Sequence, residues 1–277
     1  VSRLTRTDIH EFSVSSSRDG KTFAFIESDN GLDTVVIKTT GNVPEKRVFS
    51  SPYDQKQLVL LPDGLSSVLC AGRRLYRLDL VSGKIAPIPF TVRFKPAVAA
   101  KPDLIITNAQ VFTGSDLFPK AAIVIRNGLI ASVLKEGESV ELVKGLPVFD
   151  AEGKTVLPGL MDNHYHYWDP FVGEKLLPRG ITAIRDVGTS VSTILNFKEA
   201  VSLGFLSGPD IYTTGPLIDG LDGYHPKVDI ELSKPEAAAS LVRALKAQGV
   251  DAIKVYFMLN PEVLAAASRE ARVLGLP

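Results

Sequence analysis

The segment Pro158-Gly159-Leu160-Met161-Asp162-Asn163-His164-Tyr165-His166 holds two of the chain's four histidines two residues apart, after a short apolar run. In an extended backbone residues i and i+2 project to one side, so His164 and His166 enter the same space above the end of a strand. Two imidazoles placed that way can hold one divalent cation. Asp162 shares their side one step lower and is positioned to orient a ring nitrogen. By itself a His-x-His spacing is more often two polar residues of a loop, so the surrounding chain decides between the readings.

Downstream of Pro158, strand-like and helix-like segments alternate. The apolar runs 156–161, 182–187, 211–214 and 252–257 suit buried parallel strands. Pro235-Glu236 opens an Ala-rich helix that ends at Gly249, and Asn260-Pro261-Glu262 opens another, with Asn260 as N-cap. This pattern predicts a parallel sheet with helical crossovers, open or closed into a barrel. Upstream, short β runs at 104–107, 121–125, 129–133 and 148–149 include Asn127-Gly128, a tight-hairpin signal, and predict a small β domain. Residues 92–102, with two prolines and small side chains, read as a linker. The first 91 residues repeat: Asp19-Gly20 and Asp63-Gly64 lie 44 residues apart, and Gly41 and Gly83 mark a second matching pair. Short strands at this period suggest the last two blades of a β-propeller, the alternative being two unrelated meanders.

Several ordered motifs resemble the amidohydrolase superfamily. The run 158–166 is similar to its Pro-Gly-Leu-x-Asp-x-His-x-His signature. Asp103–Val111 resembles the first strand of its small β-sandwich, Asn127-Gly128-Leu129-Ile130 its hairpin, and Gly180–Gly188 its second barrel strand. The first 91 residues resemble, less specifically, the end of a TolB-like propeller. The resemblance implies a multidomain chain of partial propeller blades (1–91), linker (92–102), β-sandwich (103–157) and the first half of a TIM-like (β/α)8 barrel (158–277).

It also implies a metal-dependent hydrolase of C–N bonds in an amide, cyclic amide or small peptide. His164 and His166 are then ligands of one or two divalent ions, of the zinc class. Lys254, in the apolar stretch 249–256, matches a family lysine that becomes carboxylated and bridges two metals. Burial favours the neutral amine such chemistry needs. The bland reading of Lys254 is a snorkelling or ion-paired strand lysine. His225, in the loop 219–226, and Tyr256, on the same side as Lys254, are candidates for substrate contact, and solvation or packing explains each as well. His10 reads as structural. The family's later histidines and its aspartate base have no counterpart here, so the chain reads as a fragment of a longer protein, inactive alone.

Composition limits the rivals. With 31 basic and 31 acidic residues in 277 the net charge is zero, which removes the basic excess of a nucleic-acid or anionic-membrane binder. No apolar run approaches the roughly 18 residues of a membrane span. One cysteine, Cys70, excludes an intrachain disulfide and a Cys-based zinc cluster. Serine-nucleophile elbows, P-loops and dinucleotide fingerprints are absent. The remaining alternatives are a non-catalytic propeller-based binding protein with a relic barrel and a mono-metal deaminase of the same superfamily. The propeller–barrel pairing suggests an exported or periplasmic protein, although no leader follows Val1.

Overall fold

Asp-Gly turns set the pattern of the first part of the chain. The computed structural model describes Thr5 and residues 9–41, 43–52, 57–71, 74–93, 103–138, 145–225 and 228–277, so the predicted linker lies outside the described residues beyond Arg93. Strands β1 (His10–Ser16), β2 (Thr22–Asp29), β3 (Leu32–Thr39) and β4 (Lys46–Pro52) form an antiparallel sheet in chain order. Strands β5 (Gln57–Leu60), β6 (Ser66–Ala71), β7 (Arg74–Asp79) and β8 (Ile85–Pro87) form a second sheet the same way. The sequence repeat maps strand for strand: Gly20 (φ 67°) and Gly64 (φ 65°) turn the first hairpins, and Gly41 (φ 100°) and Gly83 (φ 73°) the third connections. The left-handed backbone at these corners is what selects glycine. The two sheets bury a common core that includes Ile26, Val35, Leu58, Leu69 and Leu78. Serines of β1 close the seam, Ser13 Oγ accepting from Leu58 N at 2.7 Å and Ser15 Oγ from Leu60 N at 3.0 Å.

The next sheet is built on one long strand. β9 (Leu104–Phe112), β10 (Leu117–Arg126) and β11 (Leu129–Lys135) form a meander, with Asn127 (φ 52°) and Gly128 (φ 74°) in the tight turn predicted for them. β12 (Val148–Asp150) and β13 (Thr155–Val156) add to β9 in parallel, giving five strands. Among the described residues of 103–157 this is the one sheet, so a second layer of the expected sandwich is not among them.

From Leu160 onward all strand pairs are parallel. β14 (Leu160–Tyr165), β15 (Ile181–Asp186) and β16 (Asp210–Thr213) form one three-stranded sheet, and β17 (Leu217–Asp219) lies between β18 (Asp229–Glu231) and β19 (Lys254–Val255) in another. Helices α1 (Gly173–Leu176) and α2 (Val191–Ser202) separate β14, β15 and β16, while α3 (Pro235–Gln248) follows β18 and α4 (Pro261–Val273) follows β19; among the described residues β16, β17 and β18 succeed one another without a helix between them. Gly249 ends α3 at φ 106°, and Asn260 Oδ1 caps α4 by accepting from Val263 N at 2.9 Å. Ile184, Ile194, Ile218, Leu241, Leu245 and Val263 fill the core between sheet and helices. None of the described helices is long and apolar enough to cross a membrane.

Two strand boundaries differ from the sequence reading. The run 156–161 is not one strand: Val156 ends β13, and β14 begins at Leu160. Pro158 has no N–H to give a ladder, and a Cβ on Gly159 would lie 2.0 Å from Thr182 Oγ1, so the chain breaks there. The run 252–257 shrinks to Lys254–Val255 because its amides turn to two strands: Asp251 N and Ala252 N donate to Thr213 O, and Tyr256 N to Ile218 O. β17 and β18, within or beside a segment read as loop, are additional strands.

Candidate metal centre

β14 delivers Asp162 and His164, and His166 follows its last residue. The β14–β15 register slips between Asp162 and Tyr165, an irregularity of the kind that re-aims side chains at strand ends. The imidazoles of His164 and His166 still meet, with ring centroids 5.6 Å apart and planes at 67°. Neither ring makes a hydrogen bond among the described residues. Asp162 Oδ1 accepts from the backbone N–H of His164 at 3.0 Å, so this oxygen steadies the backbone rather than a ring nitrogen.

Asp186, which the sequence reading left without a role, anchors the segment behind His166. It is fully buried at the end of β15. Its carboxylate accepts from Tyr167 N (2.8 Å), Thr189 Oγ1 (2.6 Å), Thr189 N (3.2 Å) and Thr213 Oγ1 (3.3 Å). Tyr167 directly follows His166, so the carboxylate fixes the backbone beside the imidazole. Gly188 (φ 151°) closes the other side: a Cβ there would lie 3.2 Å from His166 Cε1 and 3.2 Å from Leu217 Cδ2. Partial burial holds the His166 pKa below its ordinary 6.5, with His164, Lys254 and His225 pushing the same way and Asp186 opposing. A neutral imidazole is the form that ligates a metal.

Lys254 opposes Leu217 in the β17–β19 register, half-buried, with Nζ 5.9 Å from the centre of the Tyr256 ring. Among the described residues no carboxylate comes within ion-pair distance of it. Tyr256 OH lies 3.4 Å from His225 Nε2, and the two rings pack at 5.5 Å. The structure thus brings Lys254, Tyr256 and His225 together. His10 lies apart on β1, its ring 5.5 Å from that of Phe12.

A second buried carboxylate shapes the loop that carries His225. Asp219 Oδ1 accepts from Gly220 N (2.9 Å) and Met258 N (2.8 Å), and Oδ2 from Tyr224 N (3.4 Å), which locks the loops after β17 and β19 together. Asp229 Oδ2 accepts from His225 N and Glu231 Oε1 from Gly223 N, each at 3.1 Å. Among the described residues no three His, Cys, Asp or Glu side chains gather to hold an ion. A cleft of about 680 Å³ between the two-sheet unit and helices α2 and α3, lined by Phe49, Tyr76, Leu195 and Glu199 among others, contains none of these groups.

Burial, reinforced by the charges of Glu231 and Asp219, raises the Asp229 pKa above its ordinary 3.8, against the pull of the His225 N–H. The folded state therefore binds this proton more tightly than the unfolded one. Stability falls as pH climbs from 3.8 through the raised value, and the charged form carries the cost above it. Asp229→Asn removes that charge and keeps an oxygen for His225 N. Its melting temperature is expected to exceed the parent's by on the order of 2 °C at pH 7, with the gain vanishing toward pH 4. Calorimetry across that range checks it, and a lower melting point at pH 7 contradicts it.

No protein-family model matches the chain. The urease alpha subunit of Ureaplasma urealyticum is 36% identical over 97 residues, which cover 32% of this chain and 16% of the subunit. A Staphylococcus xylosus urease alpha subunit is 35% identical over the same length, covering 17% of it. Among solved structures, molinate hydrolase matches with a TM-score of 0.56 at 18% identity over 64% of this chain and 52% of its own. A Xaa-Pro dipeptidase matches with 0.52 at 21% identity over 63% and 55%. The chain thus spans a small part of the ureases and about half of these structures. The urease likeness over 97 residues, the fold shared with these solved structures and the run from Pro158 to His166 all point the same way: this chain resembles the amidohydrolase superfamily.

Proposed function

We propose that the full-length protein is a metal-dependent amidohydrolase cleaving a C–N bond of a small molecule or short peptide. His164 and His166 would hold a first divalent cation of the zinc class, and Lys254, carboxylated by addition of its amine to CO2 with loss of a proton, would help hold a second. When bound, such an ion polarises the scissile carbonyl and acidifies its water toward a pKa of about 7. His225 and Tyr256 flank Lys254 and contact substrate. Asp162, through the His164 amide, and Asp186, through the Tyr167 amide, hold the two imidazoles in place. The observation that carries the reading is the meeting of two imidazoles, one of them biased to its neutral form. The urease and dipeptidase among the similar proteins, both hydrolases of C–N bonds by name, support the reaction class.

The domain reading accompanies it. Residues 1–91 are two blades of a TolB-like propeller, supported by the repeat of four strands per sheet with glycine turns at equivalent corners. Residues 103–157 are the β-sandwich domain, and 158–277 the first four β/α units of a barrel, supported by all-parallel pairing from Leu160 onward. Metal analysis of the full-length protein tests the function: two equivalents of a zinc-class ion, falling to one in Lys254→Ala, with hydrolysis of a panel of amides and dipeptides. One equivalent in the parent points to a mono-metal deaminase, and no retained cation to a non-catalytic binding protein.

A further inference from the structure

The β2–β3 turn is the place where the two-sheet unit touches the loops of the parallel sheet. Asn30 (φ 49°) and Gly31 (φ 72°) form it. Asn tolerates the left-handed backbone, and Gly31 has no side chain to hold the turn away: a Cβ there would sit 3.4 Å from Leu241 Cβ and 3.7 Å from Leu232 Cδ2. At that range Asn30 Oδ1 accepts two hydrogen bonds, from Ser233 N at 2.8 Å and from Ser233 Oγ at 3.0 Å. Ser233 lies between the end of β18 and the start of α3.

We propose that Asn30 is a positioning residue for the loop 220–225, so that a turn of the N-terminal unit sets where His225 stands beside Tyr256 and Lys254. The contacts form an unbroken path. Asn30 pins Ser233, which fixes the end of β18. From β18, Glu231 Oε1 holds Gly223 N and Asp229 Oδ2 holds His225 N, each at 3.1 Å. His225 in turn meets Tyr256 OH at 3.4 Å, with Lys254 over the same ring. β18 is only three residues long and pairs with β17 alone, so its ladder by itself gives the loop little support. A carboxamide taking both Ser233 donors supplies a fixed point from outside the parallel sheet. This deepens the functional reading, since it treats His225 as part of the site, but it is measured without metal or substrate.

The test uses full-length protein labelled with 13C in its histidine rings, with the His225 signal assigned by its loss in His225→Gln. Asn30→Gly keeps the backbone conformation and deletes both acceptor contacts. Asn30→Asp keeps an oxygen for each donor. In Asn30→Gly the His225 signal is expected to move by several linewidths while that of His10 stays, and Asn30→Asp is expected to restore it. If Asn30→Gly does not fold, Ser233→Ala, which loses only the Oγ bond, must move the same signal by less. A His225 signal unmoved in the folded variant, whatever its melting temperature, overturns the proposal. Zinc content of the parent protein, measured separately, tests the functional reading, and a parent without zinc counts against that reading and not against this one.

Discussion

His166→Ala in the full-length protein is expected to lose its bound zinc-class ion and to lower kcat/KM by on the order of 10³-fold or more. The imidazole meets His164 at 5.6 Å, and partial burial together with three cationic or imidazole neighbours keeps it available as a neutral donor. On the proposed ligation, alanine would leave His164 as the one imidazole for the first ion. Without such an ion, the attacking water would keep its ordinary, far higher pKa, and little hydroxide nucleophile would form at neutral pH. Elemental analysis beside kinetics on an amide panel checks the result, with His10→Ala as a control that alters neither. A His166→Ala protein with full metal content and full turnover would sink the assignment of this residue.

Asp186→Asn is expected to cost about 2–4 kcal/mol, through a mechanism separate from ligation. All four contacts to the carboxylate come from donors: two backbone amides and two hydroxyls. An amide offers one acceptor oxygen and one NH2 group, so one orientation turns N–H toward Tyr167 N and Thr189 Oγ1 and the other toward Thr189 N. A hydroxyl can reverse its role, but a backbone N–H cannot. The carboxylate is fully buried, out of reach of bulk solvent. The melting temperature is expected to drop by roughly 5–15 °C. Metal affinity falls with it, because Tyr167 adjoins His166 and Thr189 adjoins Gly188. Calorimetry with a zinc titration decides, and an unchanged melting point would mean the carboxylate's contacts are dispensable.

The sequence made the strand ends and their chemistry legible where local signals were strong. Asn127-Gly128, the Asp-Gly corners and the Pro235 and Asn260 helix starts act within a few residues, and each stands where it was read. His164 and His166 were visible because extended geometry alone puts them side by side. Long-range partners were not visible. Nothing near Asp186 in the chain indicates that Tyr167, Thr189 and Thr213 donate to it, and nothing near Asn30 indicates Ser233. β18 did carry a signal, the alternation Val228-Asp229-Ile230-Glu231-Leu232, obscured by the glycine-rich loop before it. The length of β19 depended on which of two strands each amide would choose, a tertiary matter no local pattern encodes.

The parallel attachment of β12 and β13 to β9 has a consequence during synthesis. The β9–β11 meander can form as soon as it leaves the ribosome, since its turns are local. Ile105, however, waits for Val148, and Val111 for Val156, so one side of β9 stays unpaired for about forty residues of translation. At roughly 5–20 residues per second that is several seconds during which an apolar strand edge is open to other chains. Since β14 begins only four residues after β13 ends, the histidine-bearing strand emerges just as that edge closes.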